Sequence, residues 1–279
     1  MPALLPFLPP GITSAAPGAP YTVAADAPPI WLFDECASTL TSAADLAGRH
    51  TLPVWGSVLA ARQTRGRGQL GRHWQSPEGN LYTALRLPDC PPFSESAAAP
   101  ATSALLAAML AHIGFDIRIK WPNDLVLAAP DAPDVFRKIG GLLIEDRNGA
   151  VLAGIGLNIH SAPPDAHMRA DHALPAGCLS ADILYGYGFR SLLDVWHHAV
   201  GEFRSQRLDT LARRWLPLAE RYLLYLGQPV TLVEDSDTAP VCGRLLGLDP
   251  SGGVRLETRR GILVMTSGSL YGPRSILPA

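Results

Sequence analysis

The chain has 279 residues, of which 23 are basic and 25 are acidic, so its formal net charge is −2. This near balance excludes a protein whose whole surface binds nucleic acid electrostatically. Apolar residues make up 47% of the chain and charged residues 17%, which excludes general disorder and predicts a sizeable core. The length favours about two domains.

The four cysteines, Cys36, Cys90, Cys178 and Cys242, form no closely spaced pair. We therefore expect reduced cysteines in a cytoplasmic protein rather than a zinc site or a disulfide framework. Residues 1–29 are rich in proline and carry no basic side chain. They predict an extended leader, not a signal peptide, and we expect its deletion to leave activity and melting temperature nearly unchanged.

The chain after the leader alternates between predicted strands and helices. Strands are predicted over 30–34, 54–61, 81–87, 116–120, 124–128, 138–145 and 151–159, and helices over 40–47 and 97–113. Asn148 and Gly149 form a strong hairpin signal between the last two strands. Apolar residues between 192 and 203 recur at helical spacing, and 215–226 predicts a further helix that Gly227 ends.

After residue 226 the apolar period changes to two. Short strands are predicted over 229–233, 241–248, 254–258 and 262–267, which suggests a small SH3-like β-barrel. The fold class is therefore α+β: a mixed, mostly antiparallel sheet flanked by helices, followed by the barrel. The predicted organisation is a leader over 1–29, a main domain over 30–226 and the barrel over 227–279.

Residues 62–74 read RQTRGRGQLGRHW, with arginines, a histidine and no acidic side chain. Glycines allow the backbone to approach a ligand closely, and guanidinium groups bind phosphate or carboxylate oxygens in pairs. The segment is predicted to close over an anion. A solvated surface loop or an RNA contact would have a similar composition, so the segment alone does not decide between them.

Three later segments contain further candidate ligand-binding residues. In IKWPNDL, Lys120 and Asp124 flank a turn and suit a phosphate with Mg²⁺, although the turn residues also suit simple backbone capping. In RKIGGLLIE, Lys138 opens a strand that contains glycines, and GIGLNI places small residues in the next strand. Lys120 and Lys138 are the only lysines of the chain, which favours a compact ammonium at both positions.

The string GRGQLGRHW resembles the GRGxxGRxW signature of the biotin protein ligases. KWPND, RKIGGLLIE and GIGLNI are similar to further blocks of that family, in the same order. The resemblance runs from about Trp31 to the end of the chain. It implies a catalytic domain of the class II synthetase-like, biotin/lipoyl ligase type with a terminal barrel, in a monofunctional enzyme.

The resemblance also implies a two-step reaction. Biotin and ATP, with Mg²⁺, would first form biotinyl-5′-AMP. The biotinyl group would then pass to a lysine of a biotin carboxyl carrier protein, from acetyl-CoA carboxylase or another biotin-dependent carboxylase. The first step joins two anions, whose repulsion cationic donors reduce. We expect Mg²⁺ to be held through the phosphates, with Asp124 the one protein group near it.

Roles for individual residues are carried over from the family blocks. Lys138, Arg67, Lys120 and Asp124 are expected to act in catalysis. The residues expected to bind biotin are Ser38, Thr39, Gln63, Gly66, Arg67, Lys138, Gly141 and Gly154. Those expected to bind ATP or the adenylate are Gly68, Gly71, Arg72, Trp74, Asn123 and Asn158.

The chain departs from the family pattern at three places. Leu40 stands where a polar residue is common, and Gln69 stands where the GRGRRG form of the loop has a second arginine. We expect a lost hydrogen bond at the first and weaker adenylate retention at the second. An insertion over 128–136 is expected to lengthen a loop.

Residues 1–29 are too short and too rich in proline for a helix-turn-helix. We therefore expect a ligase that does not act as a repressor and that has neither a nucleic-acid partner nor a membrane partner. We expect it to be a monomer or a weak homodimer. Alternatives are a lipoate or octanoate ligase on the same fold, a non-catalytic biotin sensor, and a general RNA-binding protein. The last would need a basic domain with interleaved aromatic residues, which the sequence lacks.

Overall fold

The computed structural model describes residues 5–12, 19–22, 24–129, 132–164, 174–234 and 238–273. The helices are α1 (Thr39–Gly48), α2 (Ala98–His112), α3 (Ala181–Gly186), α4 (Leu192–Ser205) and α5 (Leu208–Tyr222). The strands of the larger sheet are β1 (Pro20–Tyr21), β2 (Ile30–Cys36), β3 (Ser57–Gln63), β4 (Leu81–Arg86), β5 (Ile117–Lys120), β6 (Asp124–Ala129), β7 (Ala132–Arg147) and β8 (Ala150–Leu157). Those of the smaller sheet are β9 (Pro229–Val233), β10 (Val241–Leu248), β11 (Val254–Thr258), β12 (Gly261–Met265) and β13 (Ser269–Tyr271).

The larger sheet is mixed and mostly antiparallel, as predicted. Its eight strands lie in the order β1-β2-β3-β4-β8-β7-β6-β5. Only β2 and β3 pair in parallel among these described strands. A parallel pair requires a crossover connection, and α1 supplies it. Because β2 and β3 run in the same direction, the start of α1, which follows β2, lies beside the end of β3.

The turn between β7 and β8 confirms the hairpin predicted at Asn148 and Gly149. Their φ angles are 54° and 68°, the positive pair that a type I′ turn needs. The segment 128–136, expected to lengthen a loop, instead contributes to two strands. Ala128 pairs with Phe136 and Ala129 with Ala132 across β6 and β7. The insertion therefore extends a hairpin, with residues 130 and 131 outside the described chain.

The two faces of the larger sheet carry different helices. The alanine-rich helix α2 has buried residues on every side, as expected of a helix without a polar face. It packs against α4 and α5 on one face of the sheet. On the other face, α1 buries Leu40, Ala43 and Ala44 in a separate apolar cluster. Among the described residues, no helix combines the length and apolar character that a membrane span requires.

The described part of the leader is packed onto the domain, which argues against the expectation that its deletion would change the melting temperature little. Leu5 is 1% exposed and belongs to the main apolar core. The carbonyls of Pro6 and Phe7 accept hydrogen bonds of 2.8 and 3.1 Å from the amides of Leu192 and Leu193 at the start of α4. These amides have no partner within the helix, so the leader satisfies them.

The smaller sheet has the order β12-β11-β10-β9-β13 and is antiparallel throughout. The strands predicted over 229–233, 241–248 and 254–258 are confirmed, whereas β13 is too short to give a recognisable pattern. The interior of the smaller sheet, which includes Val230, Leu245 and Leu270, belongs to the same apolar core as α2 and the larger sheet. The two sheets thus share one core. Along the chain, all strands of the larger sheet precede residue 226 and all strands of the smaller sheet follow it.

Candidate active site

A cavity of about 480 Å³ lies on the α1 face of the larger sheet, a volume suited to a small-molecule ligand. Its walls are the loop 64–74, the start of α1, the ends of β5 to β8, and β13. Most of the predicted site residues line it: Ser38, Thr39, Gln63, Arg67, Gly68, Arg72, Trp74, Lys120, Asn123, Asp124, Lys138, Gly141, Gly154 and Asn158.

The loop 64–74 folds as a narrow hairpin. Arg67 and His73 form an antiparallel bridge, and the Trp74 amide donates to the Gly66 carbonyl at 2.9 Å. A Cβ on Gly66 would lie 2.4 Å from the Trp74 carbonyl oxygen, and Gly71 has a φ of +70°. Neither glycine lines the cavity. Their role in the structure is to build the hairpin, not to form the cavity wall.

One end of the cavity is polar because β2 and β3 end side by side. Cys36 and Gln63 are partners in the parallel register, so Gln63 lies beside the first turn of α1. Its Oε1 accepts bonds from the amide and hydroxyl of Thr39 at 2.8 and 3.2 Å, and its Nε2 donates to Ser76 Oγ at 3.0 Å. Ser38, the residue before the helix, makes no side-chain cap bond.

The neighbouring wall is apolar at the position where the family commonly has a polar residue. Leu40 is 3% exposed, and a Cβ on Gly154 would lie 2.5 Å from its Cδ1. The leucine therefore packs directly on the glycine of β8. At this departure the cavity has an aliphatic surface and no additional hydrogen-bonding group.

The other end of the cavity contains Lys138 and Asp124. Lys138 Nζ lies 2.5 Å from Asp124 Oδ1 and 5.5 Å from the centre of the Trp74 ring. The register of β6 and β7 shifts between Leu125 and Val126, and such irregularities redirect side chains. Val126 pairs with Lys138 and Asp124 pairs with Gly141, on the two sides of this shift. The Lys138 side chain consequently lies against Gly141.

Lys120 adds a second cation to this end. It pairs with Asp124 across β5 and β6, and its Nζ lies 5.7 Å from the centre of the Tyr271 ring. Burial lowers the pKa of the Lys120 ammonium; the Asp124 carboxylate opposes this shift, and Lys138 and Arg72 add to it. Cations outnumber the carboxylate here, which suits an anion of more than one charge.

Trp74 lies flat on the glycines of the sheet. A Cβ on Gly156 would lie 2.7 Å from its Nε1, and one on Gly141 would lie 3.6 Å from its Cζ3. The buried Nε1 donor has no hydrogen-bond partner in the described chain. Because buried donors are normally paired, this N–H is a candidate ligand contact.

The two predicted asparagines mainly hold the backbone around the cavity. Asn123 Nδ2 donates to the Leu142 carbonyl at 2.5 Å, and Asn158 Nδ2 donates to the Gly177 carbonyl at 3.1 Å. The structure thus supports the backbone-capping interpretation of Asn123. Both residues line the cavity, but the amide nitrogens are already used.

Sequence reasoning missed Glu145 and Tyr271. Arg67, predicted to contact the ligand, forms an ion pair with Glu145, the last residue of the quoted string RKIGGLLIE. Tyr271 lines the cavity from β13. The position of Glu145 within a recognised block was a usable signal, whereas nothing in the sequence pattern marked Tyr271.

The chain is similar in sequence and in fold to known proteins. The sequence model of the biotin/lipoate A/B protein ligase family matches residues 36–161. The biotin–[acetyl-CoA-carboxylase] ligase of Paracoccus denitrificans is 30% identical over 250 residues, which cover 84% of this chain and 96% of the relative. The bifunctional ligase/repressor BirA of Bacillus subtilis is 28% identical over 244 residues, covering 85% and 72%.

Solved structures show the same fold. The biotin protein ligase of Aquifex aeolicus in complex with biotin and ATP superposes with a TM-score of 0.63 at 23% identity, covering 86% of this chain and 97% of that one. A synthetase from Helicobacter pylori with bound biotinylated ATP gives 0.55 at 19% identity, covering 84% and 98%. Similarity to the Paracoccus ligase over most of both chains shows that this protein belongs to the biotin protein ligases of the biotin/lipoate A/B protein ligase family.

Proposed function

We propose that this protein activates biotin with ATP to biotinyl-5′-AMP and transfers the biotinyl group to a lysine of a biotin carboxyl carrier protein. The observation that carries the proposal is the division of the cavity into two chemically different ends. Ser38, Thr39 and Gln63 form a polar end, and Lys138 and Lys120 surround Asp124 at the other. The first suits a ureido ring and the second suits phosphates.

In the first step, a biotin carboxylate oxygen attacks the α-phosphorus of ATP. A new O–P bond forms, the bond to the bridging oxygen breaks, and pyrophosphate leaves. The Lys138 ammonium lies in the cavity between Asp124 and the Trp74 ring. In this proposal it would contact both anionic groups and stabilise the charge that accumulates between them. Lys120 and Arg72 would hold the phosphates, with their attraction strengthened by the partial exclusion of water.

Mg²⁺ would supply additional charge neutralisation on the phosphates of ATP. Asp124 is the one carboxylate among the described residues that line the cavity, and Lys138 already contacts it. No group of three potential metal-ligating side chains occurs within the described chain. This donor set fits a cation that arrives bound to ATP and takes at most one ligand from the protein.

In the second step, the amine of the acceptor lysine attacks the acyl carbon of the adenylate. An amide bond forms, the bond from the acyl carbon to the phosphate oxygen breaks, and AMP leaves. The amine must lose a proton, and Asp124, the carboxylate that lines the cavity, would accept it. The acceptor of this reaction is proposed to be the carrier protein of acetyl-CoA carboxylase or of another biotin-dependent carboxylase.

A lipoate or octanoate ligase is the second candidate function. The apolar surface of Leu40 on Gly154 is the observation that favours it. However, Thr39 and Gln63 already form a hydrogen-bonded polar cluster at the same end of the cavity. An aliphatic acyl chain has no group to interact with that cluster, so biotin is preferred.

The test is ATP–pyrophosphate exchange by the purified protein with biotin, lipoate or octanoate. We expect exchange with biotin alone, and exchange with lipoate or octanoate instead would overturn the assignment. Lys138→Ala should lower the biotin-dependent rate by about 10²-fold or more, while circular dichroism stays unchanged. Normal exchange in that variant would contradict the role of Lys138, and Lys138→Arg tests whether a compact ammonium is needed.

The transfer step needs a separate assay. Labelled biotin is followed onto a purified biotin carboxyl carrier domain, with its acceptor lysine changed to arginine as the control. Labelling of the unchanged domain alone is expected. Biotin binding without exchange or transfer would favour a non-catalytic sensor.

A further inference from the structure

Arg67 is bound by a carboxylate of the sheet. Its Nη1 lies 2.9 Å from Glu145 Oε1, and its Nη2 donates to Oε2 at 3.1 Å. Two nitrogens facing two oxygens is the bidentate arrangement that makes arginine–carboxylate pairs strong and directional. The two side chains are 31% and 17% exposed, so water screens this pair less than a fully exposed one.

Arg147 fixes the carboxylate in place. It lies two residues after Glu145 on β7, on the same face of the strand, and its Nε is 2.8 Å from Glu145 Oε2. Glu145 is therefore held between a strand arginine and a loop arginine. Only the second contact joins two different parts of the chain.

This contact is placed to control the loop. Within the loop, Trp74 bonds to Gly66 and Gly68 bonds to Arg72, so the hairpin moves as one piece. Among the described residues, Arg67–Glu145 is the one ion pair that joins this hairpin to the sheet. Breaking it would remove the charged contact of the loop tip with β7, while the internal bonds of the hairpin and the packing of Trp74 on Gly141 and Gly156 remain.

We infer that Glu145 is a positioning residue that holds the loop 64–74 over the cavity through Arg67 and so limits escape and hydrolysis of the acyl-adenylate. This inference rests on the proposed function. Hydrolysis adds water to the acyl carbon, breaks its bond to the phosphate oxygen, and gives biotin, AMP and a proton. A loop held closed keeps water away from that carbon.

The first experiment measures loop opening without any ligand. Arg65, Arg67 and Arg72 lie in the loop, so limited trypsin digestion cuts it wherever it opens. Glu145→Gln keeps the shape of the side chain and removes its charge. We expect loop cleavage to become about tenfold faster, the effect of losing a charged hydrogen bond, while the melting temperature falls by no more than about 5 °C.

The second experiment measures biotin-dependent AMP release from ATP without an acceptor protein. In Glu145→Gln this rate should rise about tenfold, while pyrophosphate exchange stays within about twofold of the original. Glu145→Asp keeps the charge and should restore most of the retention, which a purely steric role would not do. Arg147→Gln is the matched control, because Arg147 contacts the same carboxylate from outside the loop. Its loss leaves the Arg67–Glu145 pair in place, so the rise in AMP release should be clearly smaller than in Glu145→Gln.

The outcomes separate the two proposals. Unchanged cleavage and unchanged AMP release in Glu145→Gln would overturn the role of Glu145, as would an equal effect of Arg147→Gln. If Glu145→Gln fails to fold, the inference stands or falls on Glu145→Asp, whose shorter side chain should still loosen the loop measurably. Absence of exchange with biotin would instead overturn the proposed function. The digestion experiment uses no ligand, so its result on the role of Glu145 in holding the loop would still stand.

Discussion

Lys120 is the cavity cation with the most unusual surroundings. Burial lowers the pKa of its ammonium below the ordinary value of 10.5, the nearby Lys138 and Arg72 act in the same direction, and Asp124 opposes them. The Tyr271 ring, 5.7 Å from Nζ, also favours the charged form. A phosphate group arriving beside Lys120 would stabilise the proton further, so the free enzyme loses it more easily than the ATP complex.

This difference predicts a pH dependence of ATP binding. As pH rises, the free enzyme loses the Lys120 proton below the range of an ordinary lysine, so the KM for ATP should rise while kcat changes less. The check is pyrophosphate exchange at fixed biotin between pH 7 and 10. In Lys120→Arg the KM should not rise with pH, because arginine stays protonated there. A KM in the unchanged protein that is constant up to pH 10 would contradict the assignment.

The same shift has a defined sign for stability. The pKa of Lys120 is lower in the folded protein than in the unfolded chain, so the unfolded chain binds more protons between those two values. The contribution of this lysine to the free energy of unfolding therefore increases with pH across that window. Lys120 serves the site at a cost to stability near neutral pH, as expected of a buried functional cation.

At the scale of single residues, the sequence indicates which side chains lie at the cavity better than it indicates which side chains contact one another. The two lysines and Asp124 were selected for their types and spacing, and they do meet at one end of the cavity. The partner of Arg67 was not predicted, because Glu145 lies 78 positions away. Pairing of that kind depends on how the strands are ordered, which local patterns do not reveal.

At the scale of elements, prediction worked where a local rule determined the structure. The turn at Asn148 and Gly149 needed two positive φ angles and has them. The insertion over 128–136, a departure from the family pattern, is expected to lengthen the loop before Lys138. Its alanine, proline and aspartate residues are depleted in strands. Pairing with β6 overrides that preference over part of the segment, as tertiary context often does.

The leader gives the clearest disagreement at this scale and leads to a revised prediction. Leu5 is 1% exposed, and the residues after it bond to the start of α4. Leu5→Ala should lower the free energy of unfolding by about 2–5 kcal/mol, the usual range for a buried leucine. The melting temperature should then fall by about 4–10 °C.

Thermal unfolding followed by circular dichroism measures this effect. Pro10→Ala, at an exposed position of the same segment, is the matched control and should change the melting temperature little. Deletion of residues 1–12 should destabilise at least as much as Leu5→Ala. A truncated protein with the original melting temperature would restore the view that the leader is dispensable.

At the scale of the whole molecule, the smaller sheet contributes to the cavity as well as to the core. Gly268, Ser269 and Tyr271 line the cavity beside the ends of β5 and β6. Leu224, in the segment between α5 and β9, donates its amide to the Ile119 carbonyl at 2.9 Å, one residue before Lys120. Lys120 itself pairs with Asp124 of β6 and faces the Tyr271 ring of β13, so this lysine has contacts from both sheets.

Gly252, in the turn between β10 and β11, packs closely against the main domain. Its carbonyl accepts a 2.8 Å bond from the buried Trp121 Nε1, beside Lys120 in the chain. Its φ is +88°, and a Cβ there would lie 2.7 Å from the Ala97 Cα. A side chain at this position is strained by its backbone angle and collides with main-chain atoms that have no room to move.

Gly252→Val should therefore push the β10–β11 turn away from Trp121 and Ala97. The Trp121 N–H would lose its partner, at a cost of about 1–3 kcal/mol, and a displaced Trp121 would shift Lys120, the residue before it in the chain. We expect a lower melting temperature together with a higher KM for ATP in pyrophosphate exchange, and little change in the KM for biotin, whose proposed polar end lies at α1. Gly201→Ala, on α4 where a Cβ meets nothing within 4 Å, should leave both constants unchanged. If Gly252→Val instead lowers stability but leaves the KM for ATP unaltered, the smaller sheet supports the core without shaping the phosphate end of the cavity.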